Sequence, residues 1–288
     1  MQNLHYRVAE LDIRVDIPDG LDPAGMFPSF VPFAVQDDCA QADLTVDTCC
    51  ELSVPDGMEP VVRETNDMGL TEIFNTESGC LLRFSFMGLT SLLKLCDGFG
   101  RAEICTDFSH RAAGYVISCM VRTAFAQTIA LHDGLSLHSS TVINDGRGYM
   151  FMGTSGTGKS THSRLWMSAF PGTWLINDDN PMVRFIDGTL MVFGSPWSGK
   201  THCYRNASAP VAAIVRLSQA PENSIKILQS VEAFIEVYQG TSVLRTDSQL
   251  HDRMCDTVSR ITESGVRVAH LRCLPDEAAA RLCHDSLQ

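Results

Sequence analysis

The residues with the clearest chemistry form a glycine-rich segment at positions 153–160, with the sequence GTSGTGKS. It fits the pattern G-x-x-x-x-G-K-[ST], which is typical of loops that cradle nucleotide phosphates. Glycines permit positive φ angles and a close approach of the backbone to phosphate. Successive N–H groups then point inward at a helix N-terminus, where the helix dipole adds to the attraction. A chance glycine-rich turn is the alternative, but a predicted apolar strand before the segment and a predicted helix after it favour a phosphate loop.

The predicted ligands of this loop are ATP and Mg²⁺. Lys159 is expected to reach the β- and γ-phosphates, and Ser160 to give its hydroxyl to the metal. The predicted nucleotide-binding residues of the loop and the helix start are Gly153, Thr154, Ser155, Gly156, Thr157, Gly158, Lys159, Ser160 and Thr161.

Two adjacent carboxylates, Asp178 and Asp179, follow a short predicted strand at residues 174–177. Carboxylates at a strand end beside a phosphate loop are placed to hold Mg²⁺, directly or through water. One of them could instead accept the proton of an attacking hydroxyl. Neighbouring side chains on an extended backbone point in opposite directions, so the two can divide these roles, and the sequence does not say which takes which. The alternative is a solvated turn.

In combination, SGTGKS at residues 155–160 and NDD at residues 177–179 resemble the kinase domain of HPr kinase/phosphorylase. They are also similar to the nucleotide site of phosphoenolpyruvate carboxykinase, which shares that fold. His138, before the loop, resembles the position of a catalytic-site His in HPr kinases. The resemblance covers about residues 135–217 and implies nucleotide, metal and phosphoryl transfer. HPr kinases carry a Gly-rich signature after the aspartates that is missing here, so the resemblance does not imply HPr as substrate.

A second segment, at residues 194–201, fits the same pattern with the sequence GSPWSGKT. It has proline and tryptophan where small residues are needed, and no helix is predicted after it. We therefore do not predict a second phosphate cradle. Lys200 is predicted as a catalytic cation on a mobile loop that closes over the γ-phosphate or the acceptor, with Gly194 and Gly199 as hinges. The alternative is an exposed loop with a solvated lysine.

Other candidates are cations and histidines. Arg205 and Arg216 are predicted to clamp anionic oxygens of the nucleotide or substrate, with a surface ion pair as the alternative for each. His138, on a largely apolar predicted strand, is either a catalytic base or a satisfied core histidine. His162 and His202 are interpreted as structural or exposed.

Composition and charge exclude several classes of protein. The net charge of −12 is concentrated in residues 1–134, which hold 20 acidic and 8 basic side chains, whereas residues 135–288 hold 14 of each. Nucleic-acid binding needs a basic surface, so no nucleic acid is predicted. No membrane span or signal peptide is recognised, so we expect a cytoplasmic protein without a membrane partner. The eleven cysteines lack Cys-x-x-Cys spacing and are expected to be free thiols rather than disulfides or a zinc site.

Patterning predicts two domains. Residues 1–134 form an acidic, mostly β N-terminal domain that ends in a long helix over residues 110–131, and its strands are expected at 6–9, 11–17, 43–52, 71–75, 81–86 and 101–106. The intervals between these strands are typical of an antiparallel sheet. Residues 135–288 form the nucleotide-binding domain, with strands at 135–143 and 149–153, a helix at 159–169 and a hairpin at 182–186 and 189–193. The fold class is α/β (α+β), and the resemblance implies a mixed-sheet P-loop kinase domain of the HPr kinase/phosphoenolpyruvate carboxykinase type.

The predicted function is an ATP- and Mg²⁺-dependent phosphotransferase that acts on a hydroxyl acceptor. The acceptor is predicted to be a small molecule and not a protein, because the front domain is acidic and no peptide-docking strand edge is recognised. It is predicted to be anionic, because Lys200, Arg205 and Arg216 follow the aspartates closely and can hold a carboxylate or phosphate. A protein serine kinase and a nucleotide-gated regulatory protein are the alternatives. The sequence leaves open a homo-oligomer and the preference between ATP and GTP.

Overall fold

The chain divides into two compact units, Met1–Thr128 and Ile129–Gln288. The structure, a computed structural model, describes residues 1–36, 41–66, 69–76, 79–96, 98–199 and 201–288. The division lies a few residues before the predicted boundary at 134/135. Each unit contains a mixed sheet, so the fold is a mixed α/β fold of the α+β kind. Within the described ranges, no helix combines the length and the apolar character needed to cross a bilayer.

The front unit is built on an eight-stranded sheet in the order β1-β2-β3-β8-β7-β6-β5-β4. Its strands are β1 (Gln2–Val8), β2 (Leu11–Ile17), β3 (Leu44–Asp47), β4 (Val62–Asn66), β5 (Gly69–Thr76), β6 (Gly79–Phe86), β7 (Leu89–Leu95) and β8 (Arg101–Cys105). Its helices are α1 (Pro23–Met26), a 3-10 helix (Pro28–Phe33) and α2 (Ala113–Ala130). Alternate residues of β2 are buried, as expected for a strand with one face on a core.

This sheet differs from the predicted one in three ways. β3 is much shorter than the predicted strand at 43–52, and β4 and β7 have no predicted counterpart. The sheet is also not purely antiparallel, because β3 runs parallel to both β2 and β8. Parallel pairing joins strands that are distant in the sequence, so local turn signals do not reveal it.

The second unit is built on a nine-stranded sheet. Its strands are β9 (Gly134–Ser136), β10 (Ser139–Asn144), β11 (Arg147–Met152), β12 (Trp174–Asp179), β13 (Met182–Ile186), β14 (Thr189–Phe193), β15 (Ser208–Gln219), β16 (Ser224–Leu228) and β17 (Arg267–Cys273). Its helices are α3 (Lys159–Ala169), α4 (Ser230–Gln239), α5 (Ser248–Glu263) and α6 (Glu277–Ser286). The main path is β12-β10-β11-β15-β14-β13-β9, and β17 joins both β15 and β16.

The strand directions bring the candidate residues to one edge of this sheet. β10 lies between β11 and β12 and is antiparallel to both, while β15 is parallel to β11. The carboxyl ends of β11, β12 and β15 therefore lie beside the amino end of β10. The glycine loop, the two aspartates, Arg216 and His138 are all at this edge.

An aromatic core fixes the helix that follows the glycine loop. Trp166 of α3 is fully buried, and its ring centroid lies 4.6 Å from that of Tyr149 and 5.4 Å from that of Phe151. Both partners are on β11, the strand that leads into the loop. Removing a buried ring of this size typically costs about 3–5 kcal/mol. The two ends of the loop are thus anchored to each other by packing.

Two strand predictions in this unit need correction. The strand predicted at 135–143 is two strands, because β9 pairs with β13 whereas β10 pairs with β11 and β12. His138 lies in the gap between them, where its N–H donates to the carbonyl of Gly240 at 2.9 Å, so it is not on a strand. In addition, β12 extends through Asp178 and Asp179, which form its last two residues rather than following it.

Candidate functional site

The loop between β11 and α3 has a curved backbone with open space above its glycines. Gly156 and Gly158 have φ angles of 83° and 101°, and a Cβ at either position would meet nothing within 4 Å. Thr157 closes the loop by donating its N–H at 3.2 Å and its Oγ1 at 2.7 Å to the carbonyl of Thr154. A Cβ at Gly153 would collide with Thr157 Oγ1, so this glycine is required by close packing.

The start of α3 is open to an anion. Gly158 is the N-cap and has no side chain to satisfy the N–H groups of the first helical turn. These N–H groups and the helix dipole together attract negative charge. Ser160 and Thr161 lie in this first turn, and Ser155 is exposed in the loop before it. The predicted phosphate-binding residues are therefore brought together around one helix N-terminus.

Lys159 is connected to Asp179 through His138. Lys159 Nζ lies 3.0 Å from His138 Nε2 and donates to the carbonyl of Gly153 at 2.9 Å. His138 Nδ1 lies 3.1 Å from Asp179 Oδ1. An ammonium has only donors, so Nε2 accepts from Lys159 and the imidazole proton lies on Nδ1, where it is donated to Asp179. The result is a chain of two hydrogen bonds in which Lys159 donates to His138 and His138 donates to Asp179.

The charges at this edge act on one another. Burial holds the pKa of Lys159 below its ordinary value, because it disfavours the charged amine. The carboxylates of Asp179 and Asp178 oppose this shift, and the guanidinium of Arg216 adds to it. Arg216 also lies near Glu236 of α4, with 3.7 Å between Nε and Oε2. The positive charge of Arg216 therefore contributes to the electrostatic potential at Lys159 of the glycine loop.

The two aspartates point to opposite faces of the sheet. Asp178 lies directly opposite Ser140 of β10, and the hydroxyl of Ser140 is 2.6 Å from that of Ser163 on α3. Residues directly opposite each other on neighbouring strands share a face, so the side chain of Asp178 lies on the α3 face. Asp179 is one residue further along and lies on the other face.

Asp178 is buried without a full set of partners. It is 6% exposed, and within the described residues its Oδ1 has no hydrogen-bond partner. A buried carboxylate in this state is costly, and a cation relieves the cost. No three His, Cys, Asp or Glu side chains of the described ranges form a metal site by themselves. A divalent ion at Asp178 would therefore need further oxygens, and the Ser160 hydroxyl and a bound phosphate are candidates for them. An all-oxygen set of this kind fits Mg²⁺.

The second pattern segment lies against the same strand end. Asn177 Nδ2 donates to Ser195 Oγ and to the carbonyl of Trp197, each at 3.1 Å. The N–H of Gly199 donates to the carbonyl of Asp178 at 3.1 Å. Residues 202–207 after the segment contain no helix. This segment is held by β12 and does not open a helix as the first one does.

The glycines of this segment are close-packed. A Cβ at Gly194 would collide with the carbonyl oxygen of Arg205, and a Cβ at Gly199 would lie 2.9 Å from that of Asp178. Neither glycine has a left-handed φ. The packing argues against the hinge role that the sequence predicts for them. Lys200, predicted to close over the nucleotide, lies outside the described residues.

Three further candidates have clear positions. Arg205 stacks on Trp174, with its guanidinium 5.3 Å from the ring centroid, so the structure does not bring it to the phosphate loop. Trp174 is the first residue of β12, and a strand of that length separates its ends by about 16 Å. His162 is buried, its Nε2 accepts from Trp166 Nε1 at 3.1 Å, and burial lowers its pKa to about 4. His202 is exposed.

The sequence predicts no role for three residues of this candidate site: Asn177, which appears there only as part of the NDD pattern, Ser195 and Glu236. For Asn177, the available signal is a polar side chain in a strand directly before the aspartates. Ser195 occupies a variable position of the second pattern segment, so the pattern itself predicts no role for it. Glu236 comes from α4 and has no local signal.

Comparisons with known proteins find no sequence match and a weak structural similarity. No family model matches the chain, and no curated protein matches it. Among solved structures, the chain is similar to the HPr(Ser) kinase/phosphatase from Coxiella burnetii, with a TM-score of 0.31 and 11% identity over 52% of this chain and 95% of that chain. This is a weak structural neighbour, so we infer function from the site itself.

Proposed function

We propose that the second unit binds a nucleoside triphosphate with Mg²⁺ and transfers the terminal phosphoryl group to a hydroxyl acceptor. The observation that carries this proposal is the chain Lys159–His138–Asp179 beside the glycine loop, together with the unpartnered oxygen of Asp178. A loop that only held an anion would need neither a carboxylate–imidazole pair nor an unsatisfied buried carboxylate. Both groups have a use in phosphoryl transfer, which depends on positioning and charge stabilisation.

The opposite faces of the aspartates support a division of roles. Asp178 shares the α3 face with Ser160, so these two oxygen donors would hold Mg²⁺. Asp179 contacts His138, so it is the group that takes the proton. Bound Mg²⁺ would neutralise phosphate charge, which is the chemistry that the protein side chains of this edge do not supply alone.

In the proposed reaction, Asp179 accepts the proton of the acceptor hydroxyl as its oxygen forms a bond to the terminal phosphorus. The bond between that phosphorus and the bridging oxygen breaks, and the nucleoside diphosphate leaves. His138 orients the carboxylate through Nδ1, and Lys159 turns from His138 and Gly153 to the phosphates. Positioned proton transfer of this kind contributes about 10²–10⁴-fold to a rate.

We also propose that the acceptor is a small molecule with an anionic group. Arg216 supports this, because it lies at the same sheet edge and its guanidinium can pair with a carboxylate or phosphate in bidentate fashion. Its present neighbour, Glu236, is a loose partner at 3.7 Å. Incubation with γ-labelled ATP and a lysate split by size tests the acceptor. Label on a discrete protein alone would refute a small acceptor.

The function itself is tested with purified protein and a metabolite mixture. Asp179→Asn is expected to slow transfer by about 10²–10⁴-fold while nucleotide affinity is kept. Asp178→Asn should instead remove the dependence of nucleotide binding on Mg²⁺. Asp187→Asn is the matched control, since Asp187 is exposed in the β13–β14 turn at a φ of 47° that Asn also adopts. The proposal is contradicted if wild type and Asp179→Asn have equal turnover. It is also contradicted if the nucleotide affinity of the wild type does not change when Mg²⁺ is added.

A further inference from the structure

Residues 194–199 are tied to the strand end that carries the two aspartates. Asn177 is fully buried, and the two hydrogens of its Nδ2 face three acceptors: Ser195 Oγ and the carbonyl of Trp197, each at 3.1 Å, and the carbonyl of Ser195 at 3.3 Å. Its Oδ1 accepts the N–H groups of Asp179 at 3.0 Å and Asn180 at 2.9 Å. The amide N–H groups of Asn177 therefore bind residues 195–197, and its amide oxygen binds the main chain of residues 179 and 180.

Ser195 completes this connection. It is fully buried, and its hydroxyl donates to the carbonyl of Asn180 at 2.6 Å while it accepts the N–H of Trp197 at 3.2 Å and the amide of Asn177. A hydroxyl has one donor and two acceptor positions, so the capacity of Ser195 is used in full. Fully satisfied buried networks rigidify the backbone that they contact.

The backbone of the segment adds two contacts. Gly199 donates its N–H to the carbonyl of Asp178, and Ser198 forms an isolated bridge with Asp179. Both aspartates are therefore held through their main chain. Within the described residues, Asp178 Oδ1 is a buried side-chain oxygen of this turn that has no hydrogen-bond partner. The network fixes its surroundings and leaves that oxygen for a ligand.

We infer that Asn177 and Ser195 are positioning residues for the aspartate pair. They hold the main chain of residues 178–180 so that Asp178 presents Oδ1 to a metal while Asp179 meets His138. The inference rests on the proposed function. It also gives residues 194–199 a role, which is to support the metal-binding turn and not to bind phosphate.

The experiment compares Asn177→Ala and Ser195→Ala with Asn144→Ala. Asn144 is a matched control because it is also a buried asparagine, on β10, but it lies at the opposite end of that strand and bonds to Thr173 Oγ1 at 2.9 Å. Two properties are measured for each folded variant. The first is hydrogen exchange of the N–H groups of residues 179, 180 and 199 in ligand-free protein. The second is the gain in nucleotide affinity on adding Mg²⁺, from calorimetry with and without the metal.

We expect both test variants to speed exchange at residues 179 and 180 and to reduce the Mg²⁺ gain by about 10–100-fold, as is typical for residues that orient metal ligands. Affinity without Mg²⁺ should stay the same, because the glycine loop is untouched. Asn144→Ala should lower thermal stability and keep the full Mg²⁺ gain. The inference is overturned if Ser195→Ala keeps the full increase in nucleotide affinity on adding Mg²⁺. It is also overturned if Asn144→Ala and Asn177→Ala lose this increase to the same extent.

Different measurements refute the proposed function and this inference. A wild-type protein without any Mg²⁺ gain refutes the proposed function. Exchange in the ligand-free protein then still decides whether Asn177 and Ser195 hold the turn, because unchanged exchange in both test variants overturns the inference whatever the ligand.

Discussion

Residues 153–160 and 194–201 share one sequence pattern of glycine, lysine and hydroxyl residues. Residues 153–160 and the described residues 194–199 both lie near the aspartates of β12. In the first segment, Gly156 and Gly158 have left-handed φ angles with free space around them, and a helix begins at Lys159. In the second, Gly194 and Gly199 lack such angles and pack on neighbouring carbonyl groups. The same residue type thus provides conformational freedom in one segment and the absence of a Cβ in the other.

The difference favours residues 153–160 over residues 194–199 as an anion cradle. A phosphate cradle needs N–H groups without partners, and a helix start provides them. In the second segment the N–H of Gly199 is already bonded to Asp178 and that of Trp197 to Ser195. A sequence pattern therefore predicts a phosphate site only together with the element that follows it.

The largest expected effect comes from adding a methyl group to each kind of glycine. Gly194→Ala drives a Cβ into the carbonyl of Arg205, so we expect a loss of about 3 kcal/mol or more in the free energy of unfolding. Gly156→Ala meets open space, and its φ of 83° should cost about 1 kcal/mol. Urea unfolding of the two variants measures both costs. Equal destabilisation would show that the two glycines do not differ as described.

The buried histidine that follows the first segment, His162, should make the stability of the fold depend on pH. The pKa of His162 is lowered from 6.5 to about 4 by burial, so between these values the unfolded chain binds a proton that the folded chain does not. Stability from His162 is therefore present above pH 6.5 and falls by about 3 kcal/mol as the pH drops to 4. His162→Gln should remove this part of the acid sensitivity of unfolding. His202→Gln, which changes an exposed ring, is the control, and an equal effect of both variants would contradict the prediction.

Much of the second unit can be predicted from the sequence because its signals are local. The helix at 159–169 and the hairpin of β13 and β14 have the bounds that their flanking glycine, proline and Asp-Gly turn indicate. The gap at His138 could not be predicted in this way. Leu135, Leu137 and Ile143 are apolar along the whole segment, and only the pairing partners of β9 and β10 separate them.

The site could be predicted in its parts but not in its connections. Residue type and context make Lys159, Asp179 and His138 candidates, whereas the hydrogen bonds between them depend on where β10 begins. Arg205 and Arg216 show the limit most clearly, since both follow the aspartates closely in the sequence. Strand β15 carries Arg216 to the loop, while Arg205 precedes that strand and stacks on Trp174.

The two lysines of the shared pattern give the next test. Lys159→Ala should weaken binding of both nucleoside di- and triphosphate by about 1.5–3 kcal/mol, since it removes a charge-assisted contact to phosphate. Lys200→Ala should leave diphosphate binding unchanged and lower only the rate of transfer, as the sequence predicts for a cation near the γ-phosphate or the acceptor. Calorimetry with both nucleotides makes the comparison. Similar losses of diphosphate affinity in the two variants would mean that the second segment also contacts the nucleotide.

The smallest expected effect comes from the hydroxyl at the fifth position of each segment. Thr157 Oγ1 donates to the carbonyl of Thr154 at 2.7 Å, and Ser198 Oγ donates to that of Thr201 at 2.6 Å, so each hydroxyl closes its own turn. Thr157→Val removes the bond within the phosphate loop and should weaken nucleotide binding by about 1 kcal/mol, because the cradle is then less well ordered before the ligand arrives. Thr157→Ser keeps the hydroxyl and should restore the affinity. Ser198→Ala removes an equivalent bond outside the proposed phosphate cradle, so nucleotide affinity should stay at the wild-type value. If Ser198→Ala weakened binding as much as Thr157→Val, local loop order in general, and not the cradle formed by residues 153–160, would control affinity.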